Sequence, residues 1–323
     1  MPLHGKSVYI TRLIPDAGIA KLVQAGLAVS MNPGARRLAP EELRAEVGRH
    51  DGVICQLADR IDERVLAVAA TRCKVFATCA VGYDNFDLAA AKRFGITVTN
   101  TPDVLTEATA DLTWALLLAT ARRLGEAERL VRARAWHGWG MLDFLGVDVY
   151  GRTLGIVGAG RIGTAVARRA TGFSMRIVYF DQQPRQAIEA LGATHVPLLE
   201  LLEVSDFVSL HTPLIEETRH LIDENALRRM KRRAILINTA RGPVVDQDAL
   251  IQALQLGRIA GAGLDVYRDE PRVPEELLRL ENVVLLPHIG SATLNTRSKM
   301  AETAAENVIA VLEGRPALTP VVA

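Results

Sequence analysis

The chain has 323 residues, more than one ordinary hydrophobic core accommodates, so its length favours two domains. Hydrophobic residues make up 49% and charged residues 23%, the balance of a soluble globular protein. A net charge of +1, from 38 basic and 37 acidic residues, gives no general attraction to nucleic acid or to an anionic membrane. We expect a small neutral or singly anionic partner.

The cysteine content and the N-terminal segment indicate the cellular compartment of the protein. Cys55, Cys73 and Cys79 have no CxxC spacing, which argues against a disulfide framework and a structural zinc site and suits a reducing cytoplasm. The first residues lack the apolar core and small-residue cleavage site of a signal peptide. The longest apolar stretch, near 112–121, is too short to span a bilayer. These features predict a cytoplasmic protein with no membrane segment and no metal site.

Short β-branched runs alternate with amphipathic helical runs over the first hundred residues. The strand-like runs, in chain order, are SVYITRLI, LAVSMNP, DGVICQ, KVFATCA and ITVTNT. Helical patterns such as DAGIAKLVQAG and PEELRAEVGRH separate them. This alternation predicts parallel strands with helices on both faces of a sheet.

A long helical pattern follows, from about 106 to 133, with small and apolar residues on most of its faces. Such a helix is expected to be buried, in this case against another subunit. The loop at 134–151 contains Trp136 and Trp139 and shows no periodicity. For these tryptophans we favour packing in a homodimer interface over a role in shaping the pocket.

A second series of strand-like runs begins after Arg152. Its members are TLGIVG, RIVYFD, DFVSLH, AILINTA, AGAGLDVY and VVLLPH, and helical runs separate most of them. The pattern alone would suggest two consecutive α/β domains.

The first turn of this second series has the spacing GxGxxG. Gly158, Gly160 and Gly163 lie between a strand and the helical run TAVARRA. In this context Gly158 permits a tight turn, Gly160 lets the backbone approach a pyrophosphate, and Gly163 allows close packing of helix on strand. The N-terminus of the helix stabilises the anion. We therefore predict a dinucleotide-binding loop.

Asp181 ends the next strand, RIVYFD. A carboxylate at this position accepts hydrogen bonds from the ribose hydroxyls and repels a 2′-phosphate, which favours NAD over NADP. Arg185 is close enough in sequence to offer charge to a phosphate, so NADP is not excluded.

Charged groups follow three further strands of the second series: Arg241, Asp265 with Glu270, and His288. Ligands of an open parallel sheet bind beyond the carboxyl ends of its strands, so these groups are expected at the edge that carries the glycine loop. Together with CAVGYDNFD, the motifs NTARGPVVDQDAL, GAGLDVYRDEP and PHIGSAT resemble the D-isomer-specific 2-hydroxyacid dehydrogenase family. The similarity covers about residues 50 to 315 and is greatest to its glyoxylate and hydroxypyruvate reductases.

The resemblance implies a role for each motif. Arg241 would hold the substrate carboxylate, His288 would act as general acid/base, and Glu270 would hydrogen-bond that histidine. Asp265 would contact the nicotinamide end of the cofactor. In the turn of CAVGYDNFD, Val81 and Gly82 would offer backbone N–H groups to the substrate carboxylate. Leu57, in a strand-end loop, would line the substrate site.

The chemistry of 2-oxo acid reduction suits these residue types. Reduction needs a hydride at carbon and a proton at oxygen, and histidine supplies a proton near neutral pH. An adjacent carboxylate favours the protonated imidazole and orients it. Arginine binds a carboxylate bidentately. The cofactor site implied by the resemblance comprises Thr109, Gly158, Gly160, Arg161, Ile162, Gly163, Asp181, Thr212, Pro213, Thr218, Thr239, Ala240, Asp265, His288 and Gly290.

The fold implied by the resemblance is α/β with two domains. A Rossmann-type NAD-binding domain would span 103–290, and a flavodoxin-like substrate domain would combine 1–102 with 291–323, including a C-terminal helix at about 296–312. His211 also ends a strand, and we interpret it as structural or adenosine-side. The other histidines lie in polar or helix-edge contexts without a predicted role: His4, His50, His137, His195 and His220.

Three functions stay open at this point. The first is reduction of a small 2-oxo acid, glyoxylate or hydroxypyruvate, to the D-2-hydroxy acid by a homodimer. The second is an NAD(H)-sensing interaction protein similar to the corepressors that share this fold. The third is a 2-ketogluconate-type sugar-acid reductase, which would differ only in pocket size.

Overall fold

The computed structural model describes residues 3–34 and 36–321. Twelve strands and thirteen α-helices alternate within these residues. In chain order they are β1 (Ser7–Ile10), α1 (Asp16–Gln24), β2 (Ala28–Met31), α2 (Pro40–Val47), β3 (Gly52–Cys55), α3 (Glu63–Ala69), β4 (Val75–Thr78), α4 (Leu88–Arg93), β5 (Thr97–Thr99), α5 (Thr106–Ala121), α6 (Leu124–Arg132), β6 (Thr153–Val157), α7 (Arg161–Ala170), β7 (Arg176–Phe180), α8 (Gln186–Glu189), β8 (Thr194–His195), α9 (Leu198–Val204), β9 (Phe207–Leu210), α10 (Glu224–Arg229), β10 (Ile235–Asn238), α11 (Gln247–Gln255), β11 (Gly261–Leu264), α12 (Glu275–Leu278), β12 (Val283–Leu285) and α13 (Leu294–Leu312).

The chain forms two compact units. Unit 1 combines Met1–Leu105 with Ser291–Ala323, and unit 2 is the continuous segment Thr106–Gly290. The sequence-based division assigned substrate binding to 1–102 with 291–323 and cofactor binding to 103–290. The substrate role of unit 1 stays a prediction.

Unit 1 contains a five-stranded parallel sheet in the order β2-β1-β3-β4-β5. This is the strand order of flavodoxin-like folds, so the expected α/β class is confirmed for this unit. Strands β3 and β4 are buried along their whole length because helices cover both faces of the sheet. The carboxyl ends of β3 and β4 lead directly into the segments that hold Leu57 and Val81.

The C-terminal helix belongs to unit 1 because it supplies part of that core. Small residues of α13 pack against α1 so closely that a Cβ atom on Gly18 would lie 2.7 Å from the carbonyl oxygen of Ala301. Val308 and Leu312 of α13 lie in the same apolar cluster as Val8 of β1. The apolar face of α13 is thereby removed from water.

Unit 2 contains a seven-stranded parallel sheet in the order β12-β11-β10-β9-β6-β7-β8. The order reverses between β6 and β9, as it does at the ligand-binding crevice of Rossmann folds. Residues of β9 and β10 are buried without interruption, since apolar clusters lie on both faces of the sheet. The predicted Rossmann-type architecture is confirmed.

The prediction of one long helix over 106–133 is wrong, because the segment forms two helices, α5 and α6, with a break between them. Helix α5 ends at Ala121, and Arg123 has a left-handed backbone with φ of 53° before α6 begins. The carbonyl oxygen of Ala121 accepts a hydrogen bond from the N–H of Val147 at 2.9 Å. In a continuous helix, this carbonyl oxygen would accept a hydrogen bond from an N–H group of the next turn. Here the later segment that contains Val147 supplies the donor.

Helix α6 and the segment after it leave many apolar side chains exposed. No residue of α6 is buried. Trp136 is 60% exposed and Trp139 78% exposed, and other large apolar residues share this state: Leu124, Val131, Met141, Leu142, Leu145 and Tyr150. A contiguous run of this kind in the chain is unusual for a protein that functions as a single subunit.

Candidate active site

The geometry at each glycine of the GxGxxG loop explains why a glycine is needed at that position. Gly158 has φ of 93°, and a Cβ there would lie 2.8 Å from the carbonyl of His211. A Cβ on Gly163 would lie 2.1 Å from the carbonyl oxygen of Gly158, so only glycine allows this packing of α7 on the loop. A Cβ on Gly160 would meet nothing within 4 Å. Gly160 therefore leaves the backbone open to a ligand at the start of α7, where Arg161 and Ile162 form the first turn.

Asp181 follows β7 and points back at the glycine loop. Its Oδ2 atom accepts a hydrogen bond from the N–H of Ala159 at 3.0 Å, and its Oδ1 atom accepts one from Arg185 at 3.1 Å. Burial raises the pKa of Asp181, but the hydrogen bonds and charge of Arg185 and the Ala159 N–H outweigh it, so the net shift is downward. An ionised carboxylate therefore lies beside the loop.

Two residues that the sequence reasoning missed shape the turn after Asp181. The Tyr179 hydroxyl donates to Glu189 and accepts the N–H of Arg185, both at 2.8 Å. The ring of His195 donates from Nε2 to the Asp181 carbonyl at 3.0 Å. His195 is therefore a structural residue of the cofactor-binding edge. A fully buried tyrosine on a strand and a histidine on the neighbouring strand give no sequence signal of this role.

His211, the second strand-end histidine, directly follows β9 and lies beside Gly158. Its Nε2 atom lies 2.8 Å from Ser209 Oγ, and removal of the imidazole from water lowers the pKa of His211 to about 3. The imidazole is bonded to its own strand, and the predicted structural or adenosine-side role of His211 stays a prediction. Of the loop that follows, the Thr218 hydroxyl donates to the Pro213 carbonyl at 2.7 Å. Thr212, between His211 and Pro213, has a buried hydroxyl without a protein partner.

Arg241 lies in the turn that follows β10. The side chain of Asn238, which is 1% exposed, clamps this turn: its Nδ2 donates to the Arg241 carbonyl at 2.9 Å and its Oδ1 accepts the Ala240 N–H at 3.0 Å. The guanidinium of Arg241 donates to the Ala240 carbonyl at 2.8 Å. Asn238 therefore sets the backbone from which the arginine extends.

Gly242 brings the Arg241 turn against the segment that carries Glu270. A Cβ on Gly242 would lie 2.0 Å from the backbone of Tyr267. The N–H of Tyr267 donates to Glu270 Oε1 at 3.0 Å, and the Tyr267 hydroxyl donates to the Leu286 carbonyl at 2.8 Å. Tyr267 thus contacts the Arg241 turn, the Glu270 loop and the end of β12.

His288 and Glu270 form a direct pair. The Nδ1 atom of His288 lies 2.8 Å from the Oε2 atom of Glu270, and each side chain is about one-third exposed. His288 has a left-handed backbone, with φ of 55°. Such a conformation is uncommon for a residue other than glycine and persists where surrounding contacts impose it.

Asp265 supplies those contacts. It is 1% exposed at the end of β11, and its two carboxylate oxygens accept the N–H groups of Ile289 at 2.7 Å and Gly290 at 2.8 Å. These are the two residues after His288. Burial raises the pKa of Asp265 despite these bonds and the nearby His288 ring. The residue predicted to contact the nicotinamide end therefore holds the backbone directly after the predicted general acid/base.

The charge on Glu270 is set by competing effects. Burial raises the pKa of Glu270, while the hydrogen bond from His288 and the nearby charges of His288 and Arg241 lower it. The net shift is downward, so Glu270 is a carboxylate that can only accept hydrogen bonds. The three predicted catalytic residues Arg241, Glu270 and His288 are therefore brought together within unit 2.

The remaining cofactor-site predictions lie close to this group. Thr109 of α5 lies beside Gly290, with its side chain 3.5 Å from the position of a Cβ on that glycine. Thr239 and Ala240 form the start of the Arg241 turn. Their role in cofactor binding stays a prediction.

The substrate-site predictions in the first half of the chain lie in unit 1. Leu57 follows β3, and Val81 and Gly82 follow β4. The Val81 carbonyl accepts a hydrogen bond from Asn100 Nδ2 at 2.8 Å, which fixes the turn. Substrate binding by these residues stays a prediction.

Neither a metal-binding cluster nor a membrane-spanning helix occurs in the described residues. No group of three or more metal-ligating side chains occurs in 3–34 or 36–321. No helix in that part of the chain has the length and apolar character needed to cross a bilayer. All three cysteines are free thiols, and burial raises the pKa of Cys73 and Cys79 to about 12.

Comparison with known proteins decides the family. The model of the D-isomer-specific 2-hydroxyacid dehydrogenase NAD-binding domain matches residues 114–290. A glyoxylate reductase of Korarchaeum cryptofilum is 53% identical over 313 residues, which are 95% of this chain and 93% of that protein. The chain belongs to the D-isomer-specific 2-hydroxyacid dehydrogenase family.

Two solved structures of similar proteins share the whole architecture. A protein of Thermus thermophilus is 48% identical with a TM-score of 0.92, over 98% of this chain and all of the other. The NADPH-dependent glyoxylate/hydroxypyruvate reductase of Sinorhizobium meliloti, solved with NADP and malonate, is 34% identical with a TM-score of 0.86, over 98% of this chain and 97% of the other.

Membership in the dehydrogenase family confirms the predicted resemblance and makes the chain an oxidoreductase with an NAD(P)-binding domain. The loop geometry fits such a cofactor. Gly160 leaves its backbone open, α7 begins at the loop, and an ionised Asp181 lies at the end of the next strand. This dehydrogenase therefore has the elements that a dinucleotide requires.

Proposed function

We propose that the protein reduces a small 2-oxo acid, glyoxylate or hydroxypyruvate, to the corresponding D-2-hydroxy acid with NADH. The observation that carries the proposal is the grouping of Arg241, Glu270 and His288, with the direct Glu270–His288 hydrogen bond, in a chain 53% identical to a glyoxylate reductase. A positive group for a carboxylate and an acid for the carbonyl oxygen are what reduction of a 2-oxo acid needs.

The proton in this proposal comes from His288. Because ionised Glu270 only accepts hydrogen bonds, the Nδ1 atom of His288 carries a hydrogen that it donates to Oε2. The Nε2 atom is then the nitrogen that delivers a proton to the carbonyl oxygen. The cofactor, when bound, supplies the hydride.

Arg241 in this proposal binds the substrate carboxylate. Its planar guanidinium can form two parallel hydrogen bonds to a carboxylate, which fixes the orientation of the adjacent carbonyl. Asn238 and Gly242 hold the turn on which it is mounted. An oriented carbonyl next to a proton donor lowers the barrier by positioning.

NADH is the cofactor in this proposal. The ionised Asp181 beside the loop suits ribose hydroxyls and disfavours a 2′-phosphate. The Sinorhizobium meliloti relative is NADPH-dependent, so the use of NADH proposed for this chain would distinguish it from that relative. Arg185 is the residue that would lend charge to a phosphate, and in this structure it pairs with Asp181.

A homodimer and a cytoplasmic location complete the proposal. The exposed apolar run from Leu124 to Tyr150 is suited to burial against a second copy. Three free thiols, of which Cys55 and Cys73 are buried, suit a reducing compartment.

Steady-state rates test the proposed reaction. We expect NADH oxidation with glyoxylate and hydroxypyruvate, slower rates with pyruvate and 2-ketogluconate, and loss of activity in His288→Asn. Tight NADH binding without turnover of any of these acids would reject the enzyme in favour of an NAD(H)-sensing protein. A preference for 2-ketogluconate would move the assignment to a sugar-acid reductase.

A further inference from the structure

The hydroxyl group of Thr113 joins helix α5 to the Arg241 turn. Thr113 is fully buried, and its Oγ1 atom lies 2.8 Å from the carbonyl oxygen of Thr109 and 2.9 Å from Oγ1 of Thr239. Thr239 comes two residues before Arg241. A side-chain hydrogen bond between two threonines so far apart in sequence fixes one element against another.

The direction of these hydrogen bonds follows from donor count. A hydroxyl has one hydrogen, and a carbonyl oxygen can only accept, so Thr113 donates to Thr109. The contact between the two hydroxyls must then be a donation from Thr239 to Thr113. The single hydrogen of Thr239 is thereby committed, and its side-chain rotamer is fixed towards α5.

Further contacts hold α5 in place within unit 2. Trp114, the next residue, is 5% exposed, donates from Nε1 to the Val166 carbonyl at 3.0 Å and stacks on Phe173 at 4.7 Å between ring centroids. Thr109, the acceptor of the Thr113 bond, lies beside Gly290 in the loop after His288. One turn of α5 therefore contacts both the Arg241 turn and the His288 loop.

We propose that Thr113 is a positioning residue for Arg241, acting through the Thr239 hydroxyl. The inference rests on the proposed function, in which Arg241 binds the substrate carboxylate. Asn238 holds the backbone of the turn from the sheet side, and Thr113 holds it from the helix side. Loss of the Thr113 bond frees the start of the turn and lets the guanidinium leave its binding orientation.

The test is Thr113→Val, which keeps the branched shape and removes the hydroxyl. Thr120→Val is the matched control: Thr120 lies on the same helix, is 8% exposed, and donates its hydroxyl to the Leu116 carbonyl at 2.8 Å. Both variants lose one bond within the helix, and only the first loses the bond to Thr239. Thr113→Ser restores the hydroxyl.

The readouts are the KM for glyoxylate and the affinity of the NADH-loaded protein for oxamate, a carboxylate that is not reduced. We expect Thr113→Val to weaken both about fivefold, the effect of one lost hydrogen bond. We expect Thr120→Val and Thr113→Ser to stay near wild type. A thermal shift without a change in KM or oxamate affinity, or equal changes in both valine variants, would overturn the proposal.

A double-mutant cycle with Thr239→Val keeps the proposal testable if one of the single variants also has a folding defect. Coupled residues give non-additive effects, so the double variant should bind oxamate no more weakly than the worse single variant. Additive losses overturn the proposal. Oxamate binding needs no turnover. A wild type that is inactive but binds oxamate would therefore reject only the proposed reaction. A wild type that is inactive and does not bind oxamate would reject both the proposed reaction and the positioning role of Thr113.

Discussion

The Nδ1 atom of His288 lies 2.8 Å from the Oε2 atom of Glu270, and the second oxygen of that carboxylate accepts the N–H of Tyr267 at 3.0 Å. Both oxygens of Glu270 are therefore engaged, and the imidazole ring is held through one nitrogen. Asp265 holds the backbone on the other side of His288. Side chain and backbone of the histidine are positioned by two different carboxylates.

Replacing Glu270 by glutamine is expected to change the pH dependence of reduction. Glutamine can still accept a hydrogen bond from Nδ1 but removes the negative charge that favours the protonated ring. We expect kcat to fall about tenfold or more at pH 8 and less at pH 6, measured as pH–rate profiles. Glu275→Gln, in the exposed pair with Arg279, is the control. Profiles of the same shape in wild type and Glu270→Gln would contradict the assigned role.

Alanine at two glycines of the loop should separate stability from cofactor binding. Gly163→Ala places a Cβ against the Gly158 carbonyl, so we expect a loss of about 1–3 kcal/mol or more in unfolding free energy. Gly160→Ala meets open space and should cost under about 1 kcal/mol while weakening NADH binding about tenfold. Denaturant unfolding and fluorescence titration of NADH measure the two effects. Unchanged NADH affinity in Gly160→Ala would place the pyrophosphate elsewhere.

Cofactor preference is expected to depend on Asp181 and Arg185 in opposite directions. Asp181→Ser removes the charge that repels a 2′-phosphate and releases Arg185, so the ratio of kcat/KM for NADPH to that for NADH should rise about tenfold or more. Arg185→Ala removes the counter-charge and should lower the same ratio. Equal ratios in wild type and both variants would show that another part of the chain selects the cofactor.

His211 makes the folded protein sensitive to acid. Its folded-state pKa of about 3 lies below the ordinary value of 6.5, so the unfolded chain binds more protons between these values. The contribution to stability is complete above pH 6.5 and decreases as the pH falls below it. Because part of the residue as a whole stays exposed, the full effect is reduced, and we expect a loss of about 1 kcal/mol between pH 7.5 and pH 5.5. This part of the loss should be absent in His211→Gln and retained in His137→Gln, measured by urea unfolding at both pH values.

Removal of apolar surface from the exposed run should change the oligomeric state. Trp136 and Trp139 are 60% and 78% exposed, and burial of such rings drives association. We expect the wild type to sediment as a dimer and the double variant Trp136→Ser/Trp139→Ser to dissociate at micromolar concentration. Leu256→Ser changes an equally exposed residue elsewhere and should stay dimeric. A monomeric wild type would reject the proposed dimer.

The α/β class, the glycine loop and the strand-end positions of Arg241, Asp265 and His288 could all be predicted from the sequence. These features follow from short-range rules: strand and helix periodicity, the turn chemistry of glycine, and the convergence of parallel strand ends on one edge. The motif around each residue also led to different predicted roles for His288 and His211.

The break after the first helix of 106–133 and the contacts that hold the predicted catalytic residues depend on tertiary structure. Val147 takes the Ala121 carbonyl, Gly242 meets Tyr267, and Thr113 bonds to Thr239. Each contact joins segments whose spacing in the chain has no period, so no local pattern encodes it. Such pairs form only once the sheet and its helices have brought distant residues within hydrogen-bonding or van der Waals distance.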